Sequence, residues 1–422
     1  MSENKAKTVN KPMGVLLIGL MSMLLGAVAG GLVWAVLFAV NKCTELVWRY
    51  DSLPYYLAVC CVGAVLIGLW QKKYGILPDD TEQVFATIKK TGSYPYNRLH
   101  IIAVAVFLPL VFGGALGPEA GLTGMIAGLC CWIGDSLKKR GDELAALTEA
   151  SAVTVLSIVF GSPLFGIVGA LEPDNKSESY RAKLLAKKGR IFIYCMGVIG
   201  GVLMMMGLGK LVGSEGGLPR FGREHAIGID QWKWAIPAIA AGVVFAIIYL
   251  TFNSITEKLA AKVMDKRILS CLIAGISVAV IGYFVPYTMF SGEHQLGTLI
   301  SDWQSMSASM LVASAVCKLL LVNICISFGW RGGNIFPIIF SGSAAGYAFA
   351  LLVGMDGAFA VALLLSAMYA YISRKPVTAA AILMLCFPIT YILPIIVSAV
   401  IASKIPSPWA KGEMVHEEEK IQ

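Results

Sequence analysis

The sequence predicts an all-α polytopic membrane protein, and three observations carry that prediction. The 422 residues are 57% hydrophobic and only 14% charged, with a mean hydropathy of +0.74. Soluble chains carry about 25% charged residues. The apolar runs are spread along the whole chain, with no polar block large enough for a separate soluble domain. Many of the runs are short and broken by Gly and Pro, so their helices are interrupted at membrane depth. One transmembrane domain over residues 1–422 follows, closing on a short acidic tail at 414–422.

The first element is Met13–Val40, uncharged and preceded by the basic head KAKTVNK. At about 1.5 Å per residue it reaches about 42 Å, so it must tilt in a hydrocarbon core about 30 Å thick. It is too long for a signal-peptide core and lacks a convincing small-residue cleavage site. Apolar segments then recur at 54–70, 99–112, 122–134, 146–171 and 191–213. After them come 234–252, 268–289, 308–328, 335–354, 358–373, 377–386 and 389–403. The breaks are GILP at 75–78, GPEAG at 117–121, GSP at 161–163, RGGNIFP at 331–337 and RKP at 374–376. Irregular backbone in a membrane is tolerated only where it lines a cavity or is buried in protein, so these breaks point to a solute pathway.

The net charge of +8 sits in short clusters between apolar runs, such as KK at 72–73, KK at 89–90 and KKR at 138–140. That pattern predicts cytoplasmic loops and places both termini in the cytoplasm of a multi-pass inner-membrane protein. It forms no nucleic-acid stripe. Lipid head groups are the other partner such clusters could serve. The ten Cys fall mostly inside apolar runs, which predicts buried free thiols. With four His and no ligand spacing, neither a metal site nor a cofactor is expected.

The breaks repeat. GGALGPEAGLTGMIAG (113–128) matches GGNIFPIIFSGSAAG (332–346): Gly-Gly, then Pro, then a small-residue helix. FGSPLFGIVGALE (160–172) and SRKPVTAAAILML (373–385) share Pro followed by a small-residue helix. Two matched pairs in the same order predict two homologous halves, at about 13–213 and 230–413.

Helix N-termini present unpaired N–H groups and a partial positive charge. Several aimed at one point hold an anion without Lys or Arg. Three starts qualify: after YGILP (74–78), at GPEAG and at RGGNIFP. A cradle of amides suits an anion that must also leave. Glu119, in the second start, could occupy and block such a site until protonated; the plainer reading is a first-turn capping carboxylate. Lys318 could pair with a carboxylate, add positive potential to an anion path, or snorkel. Glu172 could take up protons or be an interfacial charge. Tyr74, Ser341, Tyr391, Ser407 and Trp409 could donate to an anion or anchor at the interface.

These motifs resemble the CLC family of chloride channels and proton/chloride antiporters. GPEAG resembles its GxEGP motif, with Glu119 in the gating place. GGNIFPIIFSGSAAG resembles GGxFxPxLxxGAxxG, GILPDD the end of GSGIP, and FGSPLFGIVGALE the motif FxAPLxGxLFxxEE. The resemblance covers about 70–405. It implies inverted halves of tilted, broken helices, a homodimer with one anion path per subunit, and chloride held by amides. By motif position the anion-binding set is Gly75, Ile76, Gly117, Ala120, Gly333, Asn334, Ile335, Phe336 and Trp409. Glu119 and Glu172 are then the gating and proton residues, and Pro78, Pro163, Lys318, Pro337 and Pro376 support the path. Four departures stand out: Gly75 where the family has Ser, Pro118 before the gating Glu, Pro173 where the antiporters' internal Glu falls, and Trp409 in place of a Tyr.

The expected function is transport of a small inorganic anion, chloride first, by a channel-like or proton-coupled route. Fluoride or a small organic anion is the alternative. An enzyme is not expected, because neither HExxH nor GxSxG occurs and the His are scattered.

Overall fold

The computed structural model describes residues 12–91, 93–136, 187–212, 219–222, 228–285, 287–384 and 386–408. They form α1 (Pro12–Val47), α2 (Leu53–Tyr74), α3 (Thr81–Thr91), α4 (Leu99–Val111), α5 (Glu119–Ser136) and α6 (Lys187–Val212). Then follow α7 (Ala235–Ala261), α8 (Arg267–Phe284), α9 (Glu293–Asp302), α10 (Ala308–Ser327) and α11 (Ile335–Val353). The last are α12 (Gly357–Ser373), α13 (Pro376–Leu383) and α14 (Ile392–Lys404). Seven of the described helical stretches are long and apolar enough to cross a membrane.

The core is built around α11 and α12. All residues from Gly357 to Tyr371 are buried, as befits a helix that is apolar on every side. It packs on α7, α11, α13 and α14. Its start is capped by Asp356, whose Oδ1 accepts the Phe359 N–H at 2.7 Å. Farther out, α1 lies along α6 and α2 along α8. Hydrophobic burial drives little helix association in lipid, so close backbone contact must supply it. Gly26 and Gly30 provide it: a Cβ there would lie 2.0 Å from the Gly197 oxygen and 2.3 Å from the Gly201 oxygen.

Most predicted apolar segments are helices with nearly the predicted bounds. Segment 146–171 lies outside the described residues. The 377–386 segment is a helix only over Pro376–Leu383. Glu293 opens the short amphipathic α9. The ten cysteines are free thiols.

Candidate functional site

Two of the broken stretches meet. The Gly117 N–H donates to the Gly333 carbonyl at 2.8 Å, and the Gly333 N–H to the Gly117 carbonyl at 2.7 Å. Two residues after each glycine a helix begins, α5 at Glu119 and α11 at Ile335. The exchange is symmetric, and it pairs Gly117 with Gly333. The sequence comparison aligned the Gly113-Gly114 and Gly332-Gly333 pairs instead. Both first turns carry amides with no partner inside their own helix.

Glu119 lies between them, fully buried. Its Oε1 accepts the Ile335 N–H at 2.9 Å, and the amides of Phe336 and of Glu119 itself also face the carboxylate. Oε2 is buried without a hydrogen-bond partner. A carboxylate removed from water is costly unless paired; here a helix N-terminus from the other half of the chain supplies the compensation. The glycines make the room. A Cβ on Gly333 would sit 1.9 Å from the Glu119 Cδ, and one on Gly117 1.9 Å from Oε2. Neither position tolerates a side chain while Glu119 holds this pose.

Asn334 directs its side chain away from the carboxylate, its Nδ2 donating to the Tyr249 hydroxyl at 2.8 Å. Tyr249 in turn sits beside Asn323, whose Nδ2 donates to the Tyr249 carbonyl at 3.4 Å. Tyr249 and Asn323 escaped the sequence reading because each lies inside an unbroken apolar run. The only available signal was a polar atom mid-helix.

Lys318 is fully buried and does not snorkel, and among the described residues it pairs with no carboxylate. Its Nζ donates to the carbonyls of Phe290 at 2.7 Å, Met289 at 2.9 Å and Tyr287 at 3.4 Å. It also lies over the Phe340 ring. Tyr287 and Phe290 have φ of 67° and 57°, values that non-glycine residues adopt rarely. The ammonium therefore clamps an irregular hook. That hook is fastened to the α4–α5 break through the Phe290 N–H to Gly113 carbonyl bond at 3.2 Å. Lys318 thus braces the segment that carries Glu119.

The other predicted residues are placed as follows. Ala120 is buried in the first turn of α5, and Phe336 and Pro337 are buried in that of α11. Gly75 ends α2 with φ of 89° and is exposed, with nothing near its Cα on the side a Cβ would take. Ile76 is half-buried and Pro78 buried beside it. The α3 start that follows has a carboxylate of its own: Asp80 Oδ1 accepts the Gln83 N–H at 2.8 Å. The third predicted anion-facing helix start is therefore capped from within. Asp79 accepts the Tyr94 hydroxyl at 2.7 Å. Burial and that carboxylate push the Tyr94 phenol up, so it stays a donor.

Among the expected hydroxyl donors, Ser341 donates to the Pro337 carbonyl and Tyr391 to Asp356. Tyr74 packs at a tilt against Trp70, with Lys73 over its ring. Ser407 is half-buried beyond α14, and Pro376 opens α13. Glu172, Pro163 and Trp409 lie outside the described residues.

Comparison with known proteins follows the same lines. A profile of the family described as voltage gated chloride channel matches residues 63–407. A putative ion-transport protein YfeO of Escherichia coli (strain 55989 / EAEC) is 27% identical over 256 residues, 60% of this chain and 58% of that protein's length. The chain thus spans under two thirds of that relative. A second, from Escherichia coli O17:K52:H18, is 24% identical over 349 residues, 79% of this chain and 78% of the relative. A slow cyanobacterial Cl-/H+ antiporter shares the fold with a TM-score of 0.75 at 18% identity, covering 92% of this chain and 93% of its own. A CLC-type fluoride/proton antiporter gives 0.68 at 17%, covering 95% and 98%.

Proposed function

The chain belongs to the voltage-gated chloride channel family, and on that premise we propose that it carries chloride across the membrane past Glu119. The observation that supports this most is the bond from the Ile335 N–H to Glu119 at 2.9 Å. A carboxylate oxygen occupies a backbone donor at a helix N-terminus, where a small anion is expected to bind. Anion and side chain compete for one donor. Protonation of Glu119 removes its charge and yields the donor to the anion. The same proton, carried as the side chain swings, is the natural means of coupling.

Asn334, Ile335 and Phe336 form the amide side of this path, and Gly117, Gly333 and Ala120 the close wall. Glu172 and Trp409 complete the proton and anion routes, and the protein is a homodimer of two-half subunits in the inner membrane. Because Pro173 stands where the antiporters' internal Glu falls, coupling is loose or absent. Fluoride is the second reading. It is supported by the likeness to the fluoride/proton antiporter, and the bare Gly75, with no hydroxyl to offer, leaves the choice of halide open.

Reconstituted protein tested with chloride, fluoride and acetate gradients decides among these. Chloride efflux above that of empty liposomes supports the first reading, fluoride alone the second. Acetate flux without halide flux overturns both.

A further inference from the structure

We propose that Arg331 forms a second, peripheral binding site for a small inorganic anion, one step along the chain from the Glu119 site. It rests on the anion-transport reading above and extends it to a residue that none of the helix-start arguments uses.

Arg331 immediately precedes Gly332-Gly333, the segment that braces Glu119. Its side chain is half-buried and lines a narrow cavity with Trp70, Gln71, Leu77, Leu108 and Pro109. The free space admits a water-sized occupant, which matches fluoride, requires the walls to part slightly for chloride, and excludes an organic acid of any length. The guanidinium Nε is buried and has no hydrogen-bond partner. The charges around it are Asp80, Asp79, Arg267 and Glu257. None of these acids is within ion-pair distance: among the described residues the one ion pair is Lys42–Glu45. Asp79 and Asp80 are turned to Tyr94 and to the α3 amides. The other polar wall is committed too, since Gln71 donates to the Gly329 carbonyl.

A partly desolvated cation with an idle donor is unfavourable as it stands. A mobile anion in the cavity compensates it. Arg is the side chain for this task, because its charge persists at every working pH and its donors are fixed in a plane. Basic residues cluster on the same face: Lys72 and Lys73 end α2, and Lys266 and Arg267 start α8. By the positive-inside bias this is the cytoplasmic mouth. The nearby acids temper the field, so the anion is held loosely enough to move on to the Ile335 amide.

The test is isothermal titration of the purified full chain with sodium chloride and with sodium fluoride. Halide reaches the Ile335 donor only by displacing Glu119, so the part of the wild type's saturable halide binding that is lost on replacing Arg331 reports on this site. The expected result is binding that weakens at least tenfold in Arg331→Gln, persists in Arg331→Lys, and in Glu119→Gln gains a second component at the Ile335 amide without losing the one that depends on Arg331. Gel-filtration profile and melting temperature establish that each variant is folded. If Arg331→Gln misfolds, weaker binding in the folded Arg331→Lys at raised pH, where the lysine loses charge, serves the same purpose. Halide binding in a folded Arg331→Gln equal to the wild type overturns the proposal, as does a wild type that binds neither halide. Flux failing in liposomes while Arg331-dependent binding remains would sink the transport reading and leave this site standing.

Discussion

Replacing Glu119 with Gln removes the charge and keeps the shape. In the structure Glu119 Oε1 accepts one short bond from the Ile335 N–H at 2.9 Å. A hydrogen bond to a charged acceptor contributes about 1.5–3 kcal/mol net, a neutral one about 0.5–1.5 kcal/mol. The difference, about 1.25 kcal/mol, is close to tenfold in how often the side chain holds the donor. An anion competing for that donor should therefore reach half-maximal flux at about one tenth of the wild-type concentration. The pH response should change as well. In the wild type, falling pH neutralises Glu119 and frees the donor, so flux rises as pH falls. Gln does not titrate, so the profile flattens and any proton coupling is lost. The assay is chloride efflux from liposomes at several internal pH values, with proton movement followed in parallel. A Glu119→Gln protein with wild-type half-saturation and wild-type pH dependence would refute the competition argument.

Gly333→Ala places a Cβ 1.9 Å from the Glu119 Cδ; it should expel the carboxylate and raise flux at neutral pH, and a fall in flux with Glu119 still on Ile335 would count against it. Lys318→Met leaves the carbonyls of Tyr287, Met289 and Phe290 without their shared donor. At about 1 kcal/mol per bond the loss is about 3 kcal/mol, read as a lower melting temperature in detergent, and an unchanged melting curve would contradict the bracing role. Tyr249→Phe removes the hydroxyl that accepts from Asn334 Nδ2 at 2.8 Å. It should weaken anion affinity several-fold at little cost to folding, because the Asn334–Ile335 backbone loses its tether; unchanged affinity would place the pair outside the path.

What was legible in the sequence was whatever carried its own punctuation. Helix breaks at GPEAG and RGGNIFP are marked by Gly and Pro, so the two helix starts, and the place of Glu119 in the first turn of one of them, could be read before any coordinates. That Gly117 touches Gly333 could not, because nothing local fixes which glycine of a run faces its counterpart 216 residues away. Lys318 was noticed as a charge in an apolar helix, yet its partners are backbone carbonyls of an irregular hook, and carbonyls leave no trace in side-chain patterns. The DDTEQ stretch shows the opposite error. Asp80 three residues before Gln83 is a capping signal, and the structure uses it as one, while the anion reading looked only at the dipole. Tyr249 and Asn334 lie 85 residues apart, and only the packing of α7 against α10 and α11 brings them together.

The central claim is that Glu119 and a transported anion take turns on the Ile335 amide. Crystals of the wild type and of Glu119→Gln, soaked in bromide at one pH and measured at the bromine edge, test it most directly. The account predicts an anomalous peak beside the Ile335 nitrogen in Glu119→Gln and none there in the wild type. A Glu119→Gln crystal with that position empty, or a wild type with bromide and the carboxylate both on the amide, would contradict it.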